Sequence, residues 1–139
     1  MDCLFCKIAA GEIPGLKIAE DDNYLAFLDI HPCSKGHTVV IPKKHSAAFV
    51  EMSETDAGDL FAFVNAVSKK IHKNLKADGL SIGTNVYEAA GQTVMHTHIH
   101  IIPRYNGDGG GSMHSIVSSC TPEDKDMAYL AIVQKEILK

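Results

Sequence analysis

The sequence predicts an α+β fold in a single domain of 139 residues. Short runs rich in β-branched residues alternate with turn-forming residues and indicate about five strands. One long segment in the middle of the chain repeats apolar residues at helical spacing, and a second helix is expected near the C-terminus. Since short turns join most of the strands, we expect a mainly antiparallel sheet accompanied by two main helices.

The composition is typical of a globular domain and argues against several classes of partner. Hydrophobic residues make up 45% of the chain, and the formal net charge is −4 at pH 7. A negative charge is not the basic footprint that nucleic acids select. No apolar run approaches the roughly 20 residues of a membrane span, and no signal peptide is evident. We therefore expect a cytoplasmic protein that binds neither nucleic acid nor membrane, with cysteines serving as thiols or ligands.

The first third of the chain predicts a hairpin and a third strand. A turn at residues 11–15 precedes a hairpin over residues 18–28, and a short apolar strand at residues 38–42 ends in a proline. Asp29 comes directly after the hairpin, where a carboxylate either forms the turn or accepts hydrogen bonds from ribose hydroxyls. His45 lies just beyond the third strand and is a candidate metal ligand.

The clearest predicted element is a helix that starts near Ser53 or Thr55. Ser53 followed by Asp56 resembles a capping box, with a carboxylate in place of the usual Glu. Apolar residues then recur at three- and four-residue steps and form one stripe: Leu60, Val64, Val67, Ile71 and Leu75. We expect Gly79 to end this helix, and His72, which lies off the stripe, to be exposed.

The remaining third predicts two strands and a second helix. Residues 80–86 alternate as a strand and lead into another within residues 91–104, so the two would form an antiparallel hairpin. Residues 106–112 are a glycine-rich loop that lacks the P-loop pattern. The second helix is expected to start at Pro122, with Thr121 as its N-cap.

Three histidines at alternate positions are the main chemical feature of the sequence. A strand sends alternate residues to one face, so His96, His98 and His100 would form a row with neighbours roughly 7 Å apart. Pro103 would end the strand, and apolar residues such as Ile99 would face the core. Buried imidazoles need hydrogen-bond partners and add little to packing, so a functional site explains the row better than packing does.

Two kinds of site remain open for this row. Alternate histidines on a strand can share a zinc ion, although residues 93–105 contain no carboxylate to suggest a hydrolytic metal cluster. Alternatively, a neutral imidazole attacks phosphorus without a separate base, and the middle residue, His98, has a supporting histidine on each side. Hydrogen-bond donors for the developing charge would come from Asn85, Gln92 and Thr93.

The N-terminal residues Cys3 and Cys6 have the C-x2-C spacing. They could form half of a zinc site, a redox pair, or two small buried residues. No βαβ pattern follows that would favour the redox pair, and a complete zinc site would need two further ligands from distant parts of the chain.

Four segments together resemble the histidine triad (HIT) nucleotide hydrolases and transferases. In chain order they read CLFCKIAAGEIPG, AFLDIHP, GHTVVIPKKH and GQTVMHTHIHIIPR, and they span residues 3–104. The resemblance implies an α+β homodimer whose two sheets join across the interface, with residues 105–139 adding a loop and the C-terminal helix. It also implies nucleotidyl chemistry at the α-phosphate of a purine nucleotide, through a nucleotidyl–histidine intermediate that water hydrolyses.

The resemblance assigns roles to individual residues. His98 would be the nucleophile, and His100 would contact the phosphate. Asp29 would take the ribose hydroxyls, and Ile30 would pack beside the base. The phosphate and leaving-group side would be held by Asn85, Gln92 and Thr93.

Many bacterial-type members of the family also bind a structural zinc ion. The resemblance carries this site over to Cys3, Cys6, His45 and His96. A Cys2His2 set forms a closed tetrahedral site. Without zinc, His45 and His96 would instead assist the catalytic histidine.

One departure from the family concerns the connection that precedes the triad. The family's connection is often richer in Asn and Gly, whereas this chain has Val86, Tyr87 and Glu88, which leaves the preferred leaving group open. The leading interpretation is a hydrolase of purine nucleoside phosphoramidates or related AMP conjugates. The alternatives are a dinucleoside polyphosphate hydrolase and a zinc-stabilised nucleotide-binding protein with little turnover.

Overall fold

The computed structural model describes residues 2–118 and 126–139. Its elements are, in chain order, α1 Leu4–Ala9, β1 Lys17–Glu20, β2 Tyr24–Leu28, β3 Thr38–Pro42, α2 Glu54–Leu75, β4 Gly79–Gly83, β5 Ile99–Arg104 and α3 Met127–Ile137. Single-turn 3-10 helices span Phe49–Glu51, Glu88–Ala90 and Met113–Ser115. Within the described ranges, every helix is too short or too polar to span a bilayer.

The five strands form one antiparallel sheet in the order β1-β2-β3-β5-β4. This arrangement confirms the predicted five-stranded α+β fold. β1 and β4 are the edges, so the outer side of β4 has no neighbour among the described strands. An exposed edge can pair with another chain, and the extension of the sheet across a homodimer stays a prediction.

Two hydrophobic clusters cover the two faces of the sheet, because side chains alternate along each strand. On one face, α2 packs its apolar stripe against residues that include Ala26, Val40 and Ile99. On the other face, the segment around α1 packs against the remaining strand residues: Leu25, Phe27, Val39 and Ile41. His100 alternates with Ile99 along β5 and therefore lies on the face that α1 covers.

The start of α2 is confirmed and its end is corrected. Ser53 is the N-cap, and its Oγ accepts a hydrogen bond from the backbone N–H of Asp56 at 3.1 Å. The predicted stripe is buried except for the partly buried Leu75. The helix ends at Leu75 because Lys76 adopts a left-handed conformation with φ 51° and ψ 41°. The prediction that Gly79 ends the helix is therefore wrong, since Gly79 begins β4.

The predicted strand of three histidines is also corrected. Of the three, only His100 lies on β5, because the strand begins one residue before it. His96 and His98 lie in the connection that precedes β5. There the backbone N–H of Thr97 donates to the carbonyl of Ser46 at 2.6 Å instead of joining the sheet ladder.

β4 and β5 also end at positions that differ from the predicted ones. β4 ends at Gly83 rather than at residue 86, and the hydroxyl of Thr84 donates to the carbonyl of His98 at 2.7 Å. A side chain thus replaces the ladder where the two strands separate. β5 continues through Pro103 and ends at Arg104.

α1 is absent from the predicted elements because six residues are too few to give a periodic pattern. The helix begins directly after Cys3, and its buried residues are Phe5 and Ile8. This short helix brings the C-x2-C pair onto the sheet face that carries His100.

The chain divides into two compact units, one ending at Asp108 and the other spanning Gly109–Lys139. The first unit contains the sheet, α1 and α2. The second contains α3, whose N-cap Asp126 accepts a hydrogen bond from the backbone of Ala128 at 2.9 Å. The predicted start of this helix, at residues 121–122, lies outside the described residues. A single domain that covers all 139 residues stays a prediction.

Candidate active site and metal centre

The candidate active site lies where the connection enters β5. The ring centres of His98 and His100 are 5.1 Å apart. The ring of Phe5, carried by α1, meets His98 edge to face at 5.1 Å and His96 at 5.9 Å. His96 is 0% exposed and His98 is 6% exposed, so both imidazoles are held by packing on the face that α1 covers.

The backbone of the connection fixes the orientation of His98. Its Nδ1 donates a hydrogen bond to the carbonyl of His96 at 2.7 Å. Because a carbonyl oxygen can only accept, Nδ1 carries the hydrogen, and the lone pair of the neutral ring is on Nε2. A nitrogen of this kind is a nucleophile near neutral pH and needs no neighbouring base.

A fourth histidine, His37, belongs to the site and is absent from the predicted site residues. It is 6% exposed at the entry to β3. The backbone N–H of Cys33 donates to its Nδ1 at 3.2 Å, so the hydrogen of the neutral ring is on Nε2. That nitrogen donates to Nδ1 of His100 at 2.9 Å. Burial lowers the pKa of His37, and the nearby Asp29 offsets this effect only in part. The lowered pKa keeps the ring neutral.

His100 consequently presents an N–H group on its other ring nitrogen. Its Nδ1 accepts from His37, so its own hydrogen is on Nε2. Burial, together with the neighbouring His98 and His37, lowers the pKa of His100 to about 4. The site therefore combines a bare nitrogen on His98 with a neutral N–H donor on His100. This combination suits attack on phosphorus while a phosphate oxygen is held in place.

Asp29, His37 and His100 have donor atoms within 4.8 Å of one another, as the ligands of a metal ion would. A metal ion would need a lone pair on His37 Nε2. That nitrogen instead carries the hydrogen, because the backbone N–H of Cys33 donates to the other ring nitrogen. Hydrogen bonding therefore accounts for this group better than metal ligation does.

Strand register could have identified His37. β3 pairs with β5 so that Val39 lies opposite His100. Since alternate residues share a face, His37, two residues before Val39, lies diagonally beside His100 on the same face. The sequence does not state that β3 and β5 are neighbours, so this signal needs the sheet order.

Asp29 and Ile30 directly follow β2, as expected from the sequence. One oxygen of Asp29 accepts from the backbone N–H of His31 at 2.8 Å, and the other lies 3.5 Å from Nε2 of His37. The carboxylate is thus connected to the histidine site. Ile30 is 83% exposed. The ribose and base contacts of these two residues stay predictions.

The predicted phosphate-side residues lie in the connection between β4 and β5. Gln92 is 3% exposed, and its side-chain amide is fully engaged. Its Nε2 donates to the carbonyls of Ala47 and Val94 at 2.6 and 3.0 Å, and its Oε1 accepts from the backbone N–H of Tyr87 at 2.7 Å. A phosphate contact from this amide would need one of these bonds to break.

Asn85 and Thr93 lie in the same connection, where Asn85 is half-buried and Thr93 is exposed. Both therefore have surface available to a ligand. Their contacts with a phosphate group stay predictions.

The four predicted metal ligands come together from three distant segments of the chain. Ligand atoms of Cys3, Cys6, His45 and His96 all lie within 4.8 Å of one another. Nδ1 of His96 is 3.4 Å from Cys3 Sγ, 3.5 Å from Cys6 Sγ and 3.3 Å from His45 Nδ1. Cys6 Sγ is also 3.4 Å from His45 Nδ1.

His96 is oriented so that its Nδ1 can bind a metal ion. Its Nε2 donates to the carbonyl of Pro42 at 2.8 Å, which leaves the lone pair on Nδ1. Tetrahedral zinc with usual bond lengths would hold two nitrogens about 3.4 Å apart, and a nitrogen and a sulfur about 3.6 Å apart. The observed separations agree with both values to within about 0.2 Å, so the donor set fits zinc.

The predicted row of three imidazoles is therefore divided between two centres. His96 turns toward the cysteines, whereas His98 and His100 face each other. This division is a correction to the prediction of a continuous row, and it follows from the break in the strand before β5.

A cavity of ≈ 510 Å³ lies at the N-terminal end of α2. Charged residues in its lining are Lys44, Glu51, Asp56 and Asp59, and His45 is the one predicted site residue that borders it. The histidines of the candidate active site do not line this cavity, so its size is no guide to the nucleotide site.

Comparison with known proteins agrees with this geometry. The model of the HIT domain family matches residues 10–107. The chain is 44% identical over 110 residues to adenosine 5′-monophosphoramidase hnt1 of Schizosaccharomyces pombe, covering 79% of this chain and 80% of the relative. It is 39% identical over 129 residues to adenylylsulfatase HINT3 of Arabidopsis thaliana, covering 93% and 66% respectively. The crystal structure of a HIT family member from Bacillus subtilis matches with a TM-score of 0.87 at 40% identity, over 99% of this chain and 96% of that one.

The lowered pKa of His100 predicts that the protein loses stability in mild acid. The unfolded chain would bind a proton near pH 6.5 but the folded ring only near pH 4, so stability present above pH 6.5 declines as the pH falls toward 4. Titratable groups facing the ring are His37, His98 and Asp29. Urea unfolding measures the free energy of unfolding at pH 7.5 and at pH 5. The decrease between the two pH values should be about 2 kcal/mol smaller in His100→Gln than in the unaltered protein.

The exposed His72 on α2 provides the matched control for this measurement. His72→Gln should lose as much stability between the two pH values as the unaltered protein does. An equal loss in His100→Gln would show that His100 does not resist protonation in the fold.

Proposed function

The chain belongs to the HIT family, and on that premise we propose that it is a nucleotide hydrolase acting at the α-phosphate of purine nucleotide conjugates. The proposed substrates are nucleoside phosphoramidates and related AMP conjugates. One observation carries the proposal: the Nδ1–H of His98 is bound to a backbone carbonyl, which leaves Nε2 bare beside the N–H of His100. The Schizosaccharomyces pombe relative is an adenosine 5′-monophosphoramidase, which supports the same reaction class.

The reaction would proceed through two displacements at phosphorus. In the first, Nε2 of His98 bonds to the α-phosphorus, the phosphorus–nitrogen bond breaks, and its electron pair leaves with the amine, which takes up a proton. In the second, water attacks phosphorus and the bond to His98 breaks, with its electron pair returning to Nε2. Over the cycle, water supplies the hydroxyl retained on phosphorus and the proton taken up by the amine.

The neighbouring residues would position the nucleotide for this attack. His100 donates from Nε2 to a phosphate oxygen and stabilises the charge that develops there. Asp29 accepts from the ribose hydroxyls, and Ile30 packs beside the purine. Asn85 and Thr93 hold the phosphate and leaving-group side. Gln92 joins them only if its amide gives up one of its present hydrogen bonds, and otherwise supports the connection that carries them.

His37 would act through His100 rather than on the nucleotide. By donating to Nδ1 of His100, it keeps the hydrogen of that ring on Nε2, where the phosphate needs a donor. The backbone N–H of Cys33 fixes the tautomer of His37 itself. Successive hydrogen bonds therefore connect Cys33, His37, His100 and the phosphate of the substrate.

Replacing the nucleophile tests the proposed reaction. His98→Ala should reduce the turnover of an AMP–amine conjugate by at least about 10³-fold, because the covalent step is lost while nucleotide binding remains. Steady-state kinetics with adenosine 5′-phosphoramidate measure the effect, and His72→Ala is the matched control that should keep full activity.

Parallel assays with a dinucleoside polyphosphate and with AMP alone separate the other candidate functions. A strong preference for the polyphosphate would assign the chain to asymmetric polyphosphate hydrolysis. Tight AMP binding without turnover of either substrate would identify a nucleotide-binding protein. Undiminished phosphoramidate turnover by His98→Ala would remove the proposed mechanism.

We also propose that Cys3, Cys6, His45 and His96 bind a structural Zn²⁺ ion. The separations of their donor atoms and the carbonyl bond of His96 Nε2 support the assignment. A four-ligand set leaves no position for substrate, so the ion would contribute cross-linking and not catalysis. The residues would join α1, the exit of β3 and the connection before β5.

Removing the cysteine ligands tests the zinc assignment. The purified protein should contain about one equivalent of zinc, and Cys3→Ser with Cys6→Ser should lose it and lower the melting temperature by on the order of 10 °C. The exposed Cys33 gives the control, since Cys33→Ser should keep the metal. Zinc content below a few tenths of an equivalent after gentle purification would count against the site.

Two further expectations accompany the family assignment. The outer edge of β4, which pairs with no strand in the described part of the chain, supports a homodimer in which two sheets join. The cytoplasmic location expected from the sequence is likewise part of this proposal.

A further inference from the structure

The main chain of His98 lies just outside the sheet. The last pair between β3 and β5 is Val40 opposite Ile99, and the last pair between β4 and β5 is Gly83 opposite His100. Neither of the two described neighbour strands therefore pairs with His98. A residue within a sheet is held by the hydrogen bonds of the ladder, so the position of the His98 main chain depends on other contacts.

Thr84 supplies one of these contacts. Its hydroxyl donates to the carbonyl oxygen of His98 at 2.7 Å, the usual length of a well-formed O–H···O hydrogen bond. Thr84 directly follows β4, which ends at Gly83. Because threonine is β-branched, its side chain has few rotamers, and the hydroxyl is held in a defined direction. The side chain of Thr84 thus holds the chain of β5 at the point where the backbone pairing has stopped.

The residue type at position 84 matters for this contact. Alternation along β4 gives Leu80 and Ile82, and the next position of that series is Thr84. Valine or isoleucine would suit a strand end equally well, but neither carries a donor. His98 is buried, and a buried carbonyl oxygen without a donor is costly. A hydroxyl at position 84 therefore satisfies a specific acceptor that an aliphatic side chain would leave unpaired.

Two hydrogen bonds consequently constrain His98 from opposite ends of the residue. Nδ1 of its ring donates to the carbonyl of His96, and its own carbonyl accepts from Thr84. The first bond sets the rotation of the ring, and the second holds the main chain from which the ring projects. Attack on phosphorus requires Nε2 to lie in line with the bond that breaks. A misplacement of about 1 Å can lower the rate by about 10²-fold, so the second bond matters for the reaction.

We propose that Thr84 is a positioning residue for the nucleophile, whose hydroxyl holds the main chain of His98 so that Nε2 is aimed at the α-phosphorus. The inference rests on the proposed function, because that function makes His98 the nucleophile. Thr84 acts through the carbonyl of His98 and takes no part in the bond changes at phosphorus. Its loss should therefore slow the first displacement and leave nucleotide binding unchanged.

A set of matched variants tests this role. Thr84→Val keeps the shape of the side chain and removes the hydroxyl, whereas Thr84→Ser keeps the hydroxyl. With adenosine 5′-phosphoramidate in single-turnover experiments, Thr84→Val should slow the first displacement by about five- to tenfold, and Thr84→Ser by less than about threefold. The Kd for AMP should stay within about twofold in both variants. Thr55→Val, at an exposed threonine in the first turn of α2, should keep the full rate.

Hydrogen exchange at the His98 ring gives a readout that does not depend on turnover. If Thr84 holds the residue, the Nδ1 hydrogen of His98 should exchange with water at least about fivefold faster in Thr84→Val, because its bond to the His96 carbonyl opens more often. The Nε2 hydrogen of His96, bonded to the carbonyl of Pro42, is the internal reference and should exchange at an unchanged rate. A general loss of stability would instead accelerate both.

The two readouts separate this proposal from the proposed function. If the unaltered protein does not hydrolyse the phosphoramidate, the proposed function fails, yet faster exchange confined to His98 in Thr84→Val would still support the positioning contact. An unchanged rate in Thr84→Val, an equal loss in Thr84→Ser, or weaker AMP binding at an unchanged rate would overturn it, as would equal acceleration at both rings. If Thr84→Val does not fold, Thr84→Ala compared with Thr84→Ser gives the same contrast, because alanine and serine differ by the hydroxyl alone.

Discussion

The hydrogen bond from Nδ1 of His98 to the carbonyl of His96 is the constraint on which the site depends. It makes Nε2 the bare nitrogen of the ring and points it away from the backbone. The carbonyl is available because this stretch lies outside the sheet, with Thr97 bonded to Ser46 instead of to a neighbouring strand. A regular strand would use its carbonyls in the ladder, so the break before β5 is what allows the backbone to orient the imidazole.

His96 connects this constraint to the metal-ligand cluster. Its carbonyl orients His98, while its ring is held by Pro42 on one nitrogen and faces the cysteines with the other. Phe5 packs against both rings from α1. The N-terminal helix, the exit of β3 and the connection before β5 therefore meet at one residue, and a disturbance of the cysteine pair would reach His98 through the backbone of His96.

Much of the fold follows from local patterns in the sequence, whereas the decisive parts of the site do not. The apolar stripe of α2 and the capping of this helix by Ser53 depend on residues close together in the sequence, so both were predictable from spacing alone. The break at His96 was not predictable, because alternation of His, Thr and Ile fits a strand equally well, whereas in the structure the N–H of Thr97 bonds to Ser46. Predicting the role of His37 requires the β3–β5 register. Predicting that the Gln92 amide is already hydrogen-bonded requires the conformation of the loop around Tyr87. The convergence of the four proposed metal ligands was implied by family resemblance and not by their spacing.

The position of the hydrogen on the His98 ring decides whether Nε2 is free to attack phosphorus, and it can be measured. Long-range ¹⁵N–¹H NMR at neutral pH distinguishes a protonated ring nitrogen from a bare one, and His98→Gln assigns the signals by removing them. We predict a protonated Nδ1 and a bare Nε2 in the protein without nucleotide. A hydrogen on Nε2 together with a bare Nδ1 would contradict this prediction, because the carbonyl of His96 could not then receive the bond that orients the His98 ring.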